Sequence, residues 1–327
     1  MLLAGDVGGT KTLLGLFDAA DPRPTELATH TYVTTDFNNF TDILEAFAAE
    51  IGHAISVDAV AIGVAGPVVA GRAALTNITW DISVEEISAR LVTKRVRLLN
   101  DVEAMANSVA VLAPDEVLVL QPGLACDDGN AAVIAAGTGL GEAYLHRVNG
   151  RLRPVASEGG HADFAARTDR ELELVRMLRE RYGRAEVEHV LCGPGLVNLH
   201  RFTHRGGECE MLQGVDEADR PPRITRAGLS GRCQGCTDAL RMFVSAYGAE
   251  AGNMALRGVA TSGLYVGGGI APKILPALKT GSFMEAFLAK EPMRELLSKV
   301  PVKVILNPDA GLVGAAVEAQ DLIVRRT

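Results

Sequence analysis

Twice in this chain an apolar strand runs into a glycine-rich turn and out into a second strand, at residues 2 to 18 through GDVGGTKT and at residues 131 to 148 through AAGTGLGEA. The repeat predicts a duplicated α/β fold with a cleft between two lobes. GDVGGTKT is one residue short of a phosphate-binding P-loop: with Gly5 as its start, Lys11 and Thr12 fall into place, but Thr10 occupies the second glycine. A P-loop also passes from strand into helix, whereas residues 12 to 18 read as another strand, so the stretch is a hairpin turn.

Around the first hairpin, further strands are expected at 59 to 65 and 95 to 100, with helices at 40 to 52, 83 to 92 and 102 to 113. Around the second, strands are expected at 131 to 136, 142 to 148, 263 to 267 and 302 to 306, with helices near 168 to 182, 195 to 204 and 237 to 257. Residues 206 to 234 mix Gly, Pro, Arg and acidic residues and read as an irregular excursion on the larger lobe. At 327 residues, 48% apolar, the chain is long enough for two such lobes with a core each.

Composition excludes several functions. A net charge of -8 argues against a nucleic-acid surface. The longest apolar stretch, 59 to 70, is broken by Gly63, Gly66 and Pro67 and cannot span a membrane. No basic leader or cleavage site precedes the first strand, and five cysteines, an odd number, do not close a disulfide framework. A cytoplasmic location is expected.

In the first turn, Gly8 and Gly9 are expected to adopt positive φ and bring backbone N–H groups to phosphate oxygens. Thr10 and Thr12 add hydroxyls, and Lys11 stands at the P-loop lysine position. Asp6 at the mouth of such a turn would repel a phosphate unless a cation lay between, so it is assigned to Mg²⁺, through water. The turn-capping alternative for Asp6 stays open. Gly137, Thr138 and Gly139 are the matching turn for the far phosphates, and Gly267, Gly268 and Gly269 end a strand and open a helix, which suits a nucleotide. Asn100 and Asp101 follow the apolar run of 96 to 99, at a strand's carboxyl end where open α/β folds bind ligands. Asp101 is the candidate catalytic group, against the alternative of a helix N-cap. Glu158 and His161, in SEGGHADF, lie three residues apart across two glycines and can converge on the hydroxyls of a small polyol. Read by itself, Glu188 is a surface residue. Cys233 and Cys236 have zinc-type spacing without a second pair, and Cys209 is far off in sequence, so these thiols, with His189, His200 and His204, read as structural or exposed.

Taken in order, GDVGGTKT, LLNDVEA, AAGTGLGEA, SEGGHADF, VEHVLCGPGLVNL and VGGGIAP resemble the bacterial glucokinase family, over nearly the whole chain. The resemblance implies a two-lobed, actin-like (ribonuclease H-like) α/β sugar kinase fold with an interlobe cleft. The small lobe would comprise 1–110 plus 303–327 and the large lobe 111–302. It implies a homodimer, ATP and Mg²⁺, and ATP-dependent phosphorylation of glucose at its 6-hydroxyl to glucose 6-phosphate, the first step of glycolysis. Asp101 would be the base, with Asn100, Glu158, His161 and Glu188 on the other hydroxyls. Lys11 departs from the family's usual Asn toward the related ROK kinases, whose substrates would then include fructose, mannose or N-acetylated amino sugars. Yet no cysteine-rich zinc motif of the ROK type follows His161. Ser157 and Cys192 are smaller departures beside the binding residues. A sugar-responsive regulator of the ROK group would carry a DNA-reading domain before the first strand, which here is expected at residue 2.

Overall fold

The computed structural model describes residues 1–324 with positions 53, 76, 77, 79, 206 and 208 excepted, so part of the expected excursion and the last residues of the expected small lobe lie outside it. The chain forms two compact units, 1–113 with 307–327, and 114–306.

The first unit contains β1 (Leu2–Val7), β2 (Lys11–Asp18), β3 (Thr25–Val33), α1 (Phe40–Glu50), β4 (Ala59–Val64), the short β5 (Val68–Val69), β6 (Arg72–Ala74) and β7 (Asp81–Ser83), α2 (Val84–Leu91), β8 (Val96–Asn100) and α3 (Asp101–Ser108). Its main sheet has the order β3-β2-β1-β4-β8, with β1 antiparallel to β2 and parallel to β4. Alternation along the strands explains the layering. Leu3, Val7, Val60 and Ile62 pack with Ile43 and Phe47 of α1, whereas Leu2, Ala4, Ala59 and Ala61 pack with Ala104 and the later Leu312 and Ala315. With both faces covered, β4 is apolar and buried throughout.

The second unit contains β9 (Val117–Gln121), β10 (Ala131–Ala136), β11 (Leu140–Val148), β12 (Arg151–Ser157), α4 (Asp169–Tyr182), α5 (Gly193–Thr203), α6 (Arg220–Leu229), α7 (Gln234–Gly258), β13 (Gly263–Gly267), α8 (Leu275–Leu278), α9 (Ser282–Leu288), α10 (Arg294–Lys299) and β14 (Val302–Ile305). The sheet order is β12-β11-β10-β13-β14-β9, so the antiparallel hairpins followed by parallel neighbours recur from the first unit. The hydroxyl of Tyr247, on the long buried α7, lies 3.2 Å from Ile134 O, Gly267 O and Ala136 N. It thereby ties together the strand ends that precede two glycine turns.

β14 pairs parallel with β13 and antiparallel with β9, so it belongs to the second unit, and the return to the first falls at Asn307 instead of 303. There α11 (Ala310–Val324) packs against α3 so closely that a Cβ on Gly314 would stand 1.8 Å from Ala104 O. The expected irregular excursion contains α6, entered through Pro221 and Pro222, where the missing N–H groups cost nothing. No helix among the described residues is long and apolar enough to cross a membrane.

Candidate active site

In the first unit the turn between β1 and β2 closes through Gly8 N–H to Lys11 O at 2.9 Å. Contrary to expectation, neither Gly8 nor Gly9 takes a positive φ. Four residues, 8–11, lie between the paired Val7 and Thr12, and a connection of that length does not require the left-handed residues of a two-residue hairpin loop. Thr12 also has a different use: it is fully buried, and its hydroxyl pairs at 2.9 Å with that of Thr34, which donates to Gly8 O at 2.8 Å. Thr12 therefore shapes the turn from below, while Thr10 and Lys11 are exposed on it.

Asn100 caps α3, its Oδ1 accepting Val102 N–H at 3.0 Å and Glu103 N–H at 3.4 Å, while its Nδ2 donates to Gly66 O at 3.3 Å. The cap expected as the ordinary alternative for Asp101 is thus filled by its neighbour. Asp101 is the first helical residue, with Oδ1 accepting Val102 N–H at 2.9 Å. At the end of β1, the Asp6 carboxyl is pushed up to about 7 by burial, then by the negative charge of Asp101, with Lys11 opposing and Asp309 adding to the rise. Asp309 and Gly311, whose Cβ would stand 2.7 Å from Asp6 Oδ2, were not expected from sequence. The signal was present in NPDAG, an acidic residue just before an apolar stretch.

In the second unit the turn after β10 closes through Gly137 N–H to Gly139 O at 2.8 Å, and Gly193 N–H donates to Gly137 O at 2.9 Å. Glu188 Oε2 accepts Leu140 N–H at 2.7 Å, and Glu188 N–H donates to Gly160 O at 2.8 Å. Glu188 is thereby built into both the phosphate-type turn and the short helical turn of Gly159–His161 that follows Glu158. Here His161 Nδ1 meets Glu186 Oε2 at 2.8 Å, and its imidazole is held above its ordinary pKa chiefly by that hydrogen bond, with the charges of Glu188, Glu186 and Glu158 contributing. Arg184 donates to His161 O and pairs with Glu186 at 3.5 Å. Sequence reasoning missed Glu186; its cue was E-V-E, since residues two apart in extended chain share a face. Cys192 caps α5 and donates to Glu188 O at 3.0 Å, and burial raises its thiol to about 12; Ser157 Oγ accepts Gly159 N–H at 3.1 Å. Both departures therefore brace the binding segment.

A cavity of about 1330 Å³ opens beside the turn, lined by Gly137, Thr138, Gly193, Pro221, Thr225 and Gly269 among others. Of the three consecutive glycines, only Gly269 lines it. Gly267 is buried as the last residue of β13, and Gly268, at φ 82°, lies so near Ala136 that a Cβ would stand 2.4 Å from its oxygen. Their role is close strand packing. The helix expected after them is a short 3₁₀ turn, Ala271–Ile274.

The sites expected from sequence thus group by unit: Asp6, Lys11, Asn100 and Asp101 in the first, Gly137–Gly139, Glu158, His161 and Glu188 in the second. A family model described as Glucokinase matches residues 3–322. The chain belongs to the glucokinase family. The glucokinase of Synechocystis sp. is 37% identical over 342 aligned positions, covering 96% of each chain. The crystal structure of a glucokinase from an Antarctic psychrotroph matches with a TM-score of 0.85 at 29% identity over 98% of each chain. A ROK family glucokinase from Streptomyces griseus, solved with glucose and AMPPNP, matches at 0.66 and 23% identity over 98% of this chain and 99% of that one. The fold is the two-lobed actin-like fold of glucokinases and ROK sugar kinases, and the glucokinase-family activity is phosphorylation of glucose.

Proposed function

We propose that the chain transfers the γ-phosphoryl of ATP to the 6-hydroxyl of glucose with Asp101 as the base, as a cytoplasmic homodimer at the entry to glycolysis. The observation that carries the choice of base is the capping of α3 by Asn100, which leaves Asp101 with no need to serve as the cap. The cavity beside Thr138 is assigned to the nucleotide, since bare backbone and apolar walls suit a purine and its phosphates.

Asp6, raised first by burial and then by the negative charges of Asp101 and Asp309, is the carboxylate that would hold Mg²⁺, an ion that takes oxygen donors. When bound, the ion supplies charge neutralisation for the phosphates. The protein's own contribution is positioning. Asp101 takes the proton of the attacking hydroxyl late in the transfer, because an alcohol holds its proton until the bond to phosphorus forms. Glu188, one oxygen engaged by Leu140 N–H, offers the other to a sugar hydroxyl, and His161, oriented through Nδ1 by Glu186, addresses another through Nε2. Asn100, with its side chain committed to the cap and to Gly66, contributes mainly by fixing Asp101.

ADP release with Mg-ATP against glucose, fructose, mannose, N-acetylglucosamine and N-acetylmannosamine tests the reading. Strong preference for glucose supports it; preference for another sugar moves the chain toward the broader ROK kinases, and no turnover overturns it.

A further inference from the structure

Apart from these residues, the second unit gathers soft donors at one point. His200 and His204 stand on the last turn and C-cap of α5, Cys209 precedes a short helical turn, and Cys236 lies in the first turn of α7. One donor atom from each lies within 4.8 Å of all the others. Cys233 adds a fifth, with Sγ 3.2 Å from His204 Nε2.

The arrangement looks built for a ligand. Cys209 and Cys236 Sγ are 3.8 Å apart, too far for a disulfide yet equal to the edge of a tetrahedron, about 3.8 Å for metal–sulfur bonds of about 2.3 Å. His200 is 2% exposed, and its Nε2 is buried without a hydrogen-bond partner. Such an atom is costly to bury unless it meets a cation or a donor. His204 Nδ1 lies 2.8 Å from His200 O; since a carbonyl only accepts, Nδ1 carries the proton and Nε2 presents its lone pair, the usual orientation of a metal-binding imidazole. The ring reaches this place because residue 235 is glycine: a Cβ there would stand 2.4 Å from its Cε1.

We propose that His200, His204, Cys209 and Cys236 bind one zinc ion, with Cys233 beside it. Two thiolates and two neutral imidazoles leave the ion's charge balanced, and the two thiol protons pass to solvent on binding. The sequence concealed the site because Cys209 and Cys236 are separated by the segment that contains α6. The ion would pin both ends of that segment, whose Pro221, Thr225 and Arg226 line the cavity.

The test is metal analysis of the full chain purified without chelator from zinc-supplemented cells, followed by replacement of the metal with Co²⁺. One zinc per chain, and a cobalt spectrum with intense tetrahedral d–d bands and thiolate-to-metal charge transfer, are expected; Cys209→Ser loses both. The cobalt spectrum of the unmutated chain keeps the test independent of whether a variant folds. Absence of stoichiometric zinc together with no cobalt thiolate band overturns the proposal, as does a mass two hydrogens low from a Cys209–Cys236 disulfide.

Discussion

Glu188 Oε2 accepts Leu140 N–H at 2.7 Å from directly beneath the Gly137–Gly139 turn, where a Cβ on Gly139 would stand 2.7 Å from the same oxygen. One carboxylate therefore links a candidate sugar contact to a candidate phosphate contact. Gly139→Ala must push Glu188 aside, so the KM for glucose and the KM for ATP are both expected to rise, with kcat/KM falling about 10–100-fold, in the range for misplacing a positioned group. Steady-state kinetics with each substrate varied checks this; a change confined to one substrate contradicts the link.

Glu186 holds His161 above its ordinary pKa through a 2.8 Å hydrogen bond. Removing the acceptor charge by Glu186→Gln lowers the His161 pKa, so its proton is lost at lower pH. The KM for glucose should begin to climb at a lower pH in the variant than in the parent, around the unperturbed imidazole value of about 6.5. Superimposable profiles of KM against pH would show that the imidazole proton is not used.

Glu142 is 1% exposed, neither oxygen has a hydrogen-bond partner, and burial, with Glu250 adding and Arg257 opposing, raises its pKa to about 7. Because the folded value exceeds the unfolded one, the folded chain binds more protons between about 4.5 and 7, and stability falls as pH rises through that window. Glu142→Gln removes the penalty. The variant should match the parent near pH 4.5 and exceed it by roughly 3 kcal/mol above pH 7. Urea denaturation across pH measures the difference, and a variant less stable at pH 8 contradicts the assignment.

Asp6 is raised to about 7 by burial first, with the negative charges of Asp101 and Asp309 adding and Lys11 opposing. Mg²⁺ should raise the melting temperature of the parent at pH 8 and leave Asp6→Asn nearly unmoved, while kcat of the variant falls. Scanning calorimetry with and without Mg²⁺ decides; equal stabilisation of both would remove Asp6 from the cation site.

Much of this was legible in the chain because apolar runs and glycine turns are local signals. The repeated hairpins, the strands around them and α7 follow from periodicity, and the repeated sheet order from their duplication. What stayed hidden depended on partners distant in sequence. β14 reads as a strand but only its pairing with β13 and β9 assigns its unit, and α11 is apolar on too many sides to show a helical stripe. Thr12 reads as a ligand donor until Thr34 is found against it, and Asp309 and Glu186 acquire meaning only beside Asp6 and His161.

Turnover by Asp101→Ala at saturating glucose and Mg-ATP, with nucleotide affinity followed by calorimetry, tests the central claim most directly. Loss of kcat by about 10³-fold or more, with ATP bound almost as tightly as by the parent, is the result expected for a base that contributes little to binding. Substantial residual kcat would contradict the assignment of Asp101 as the group that takes the proton.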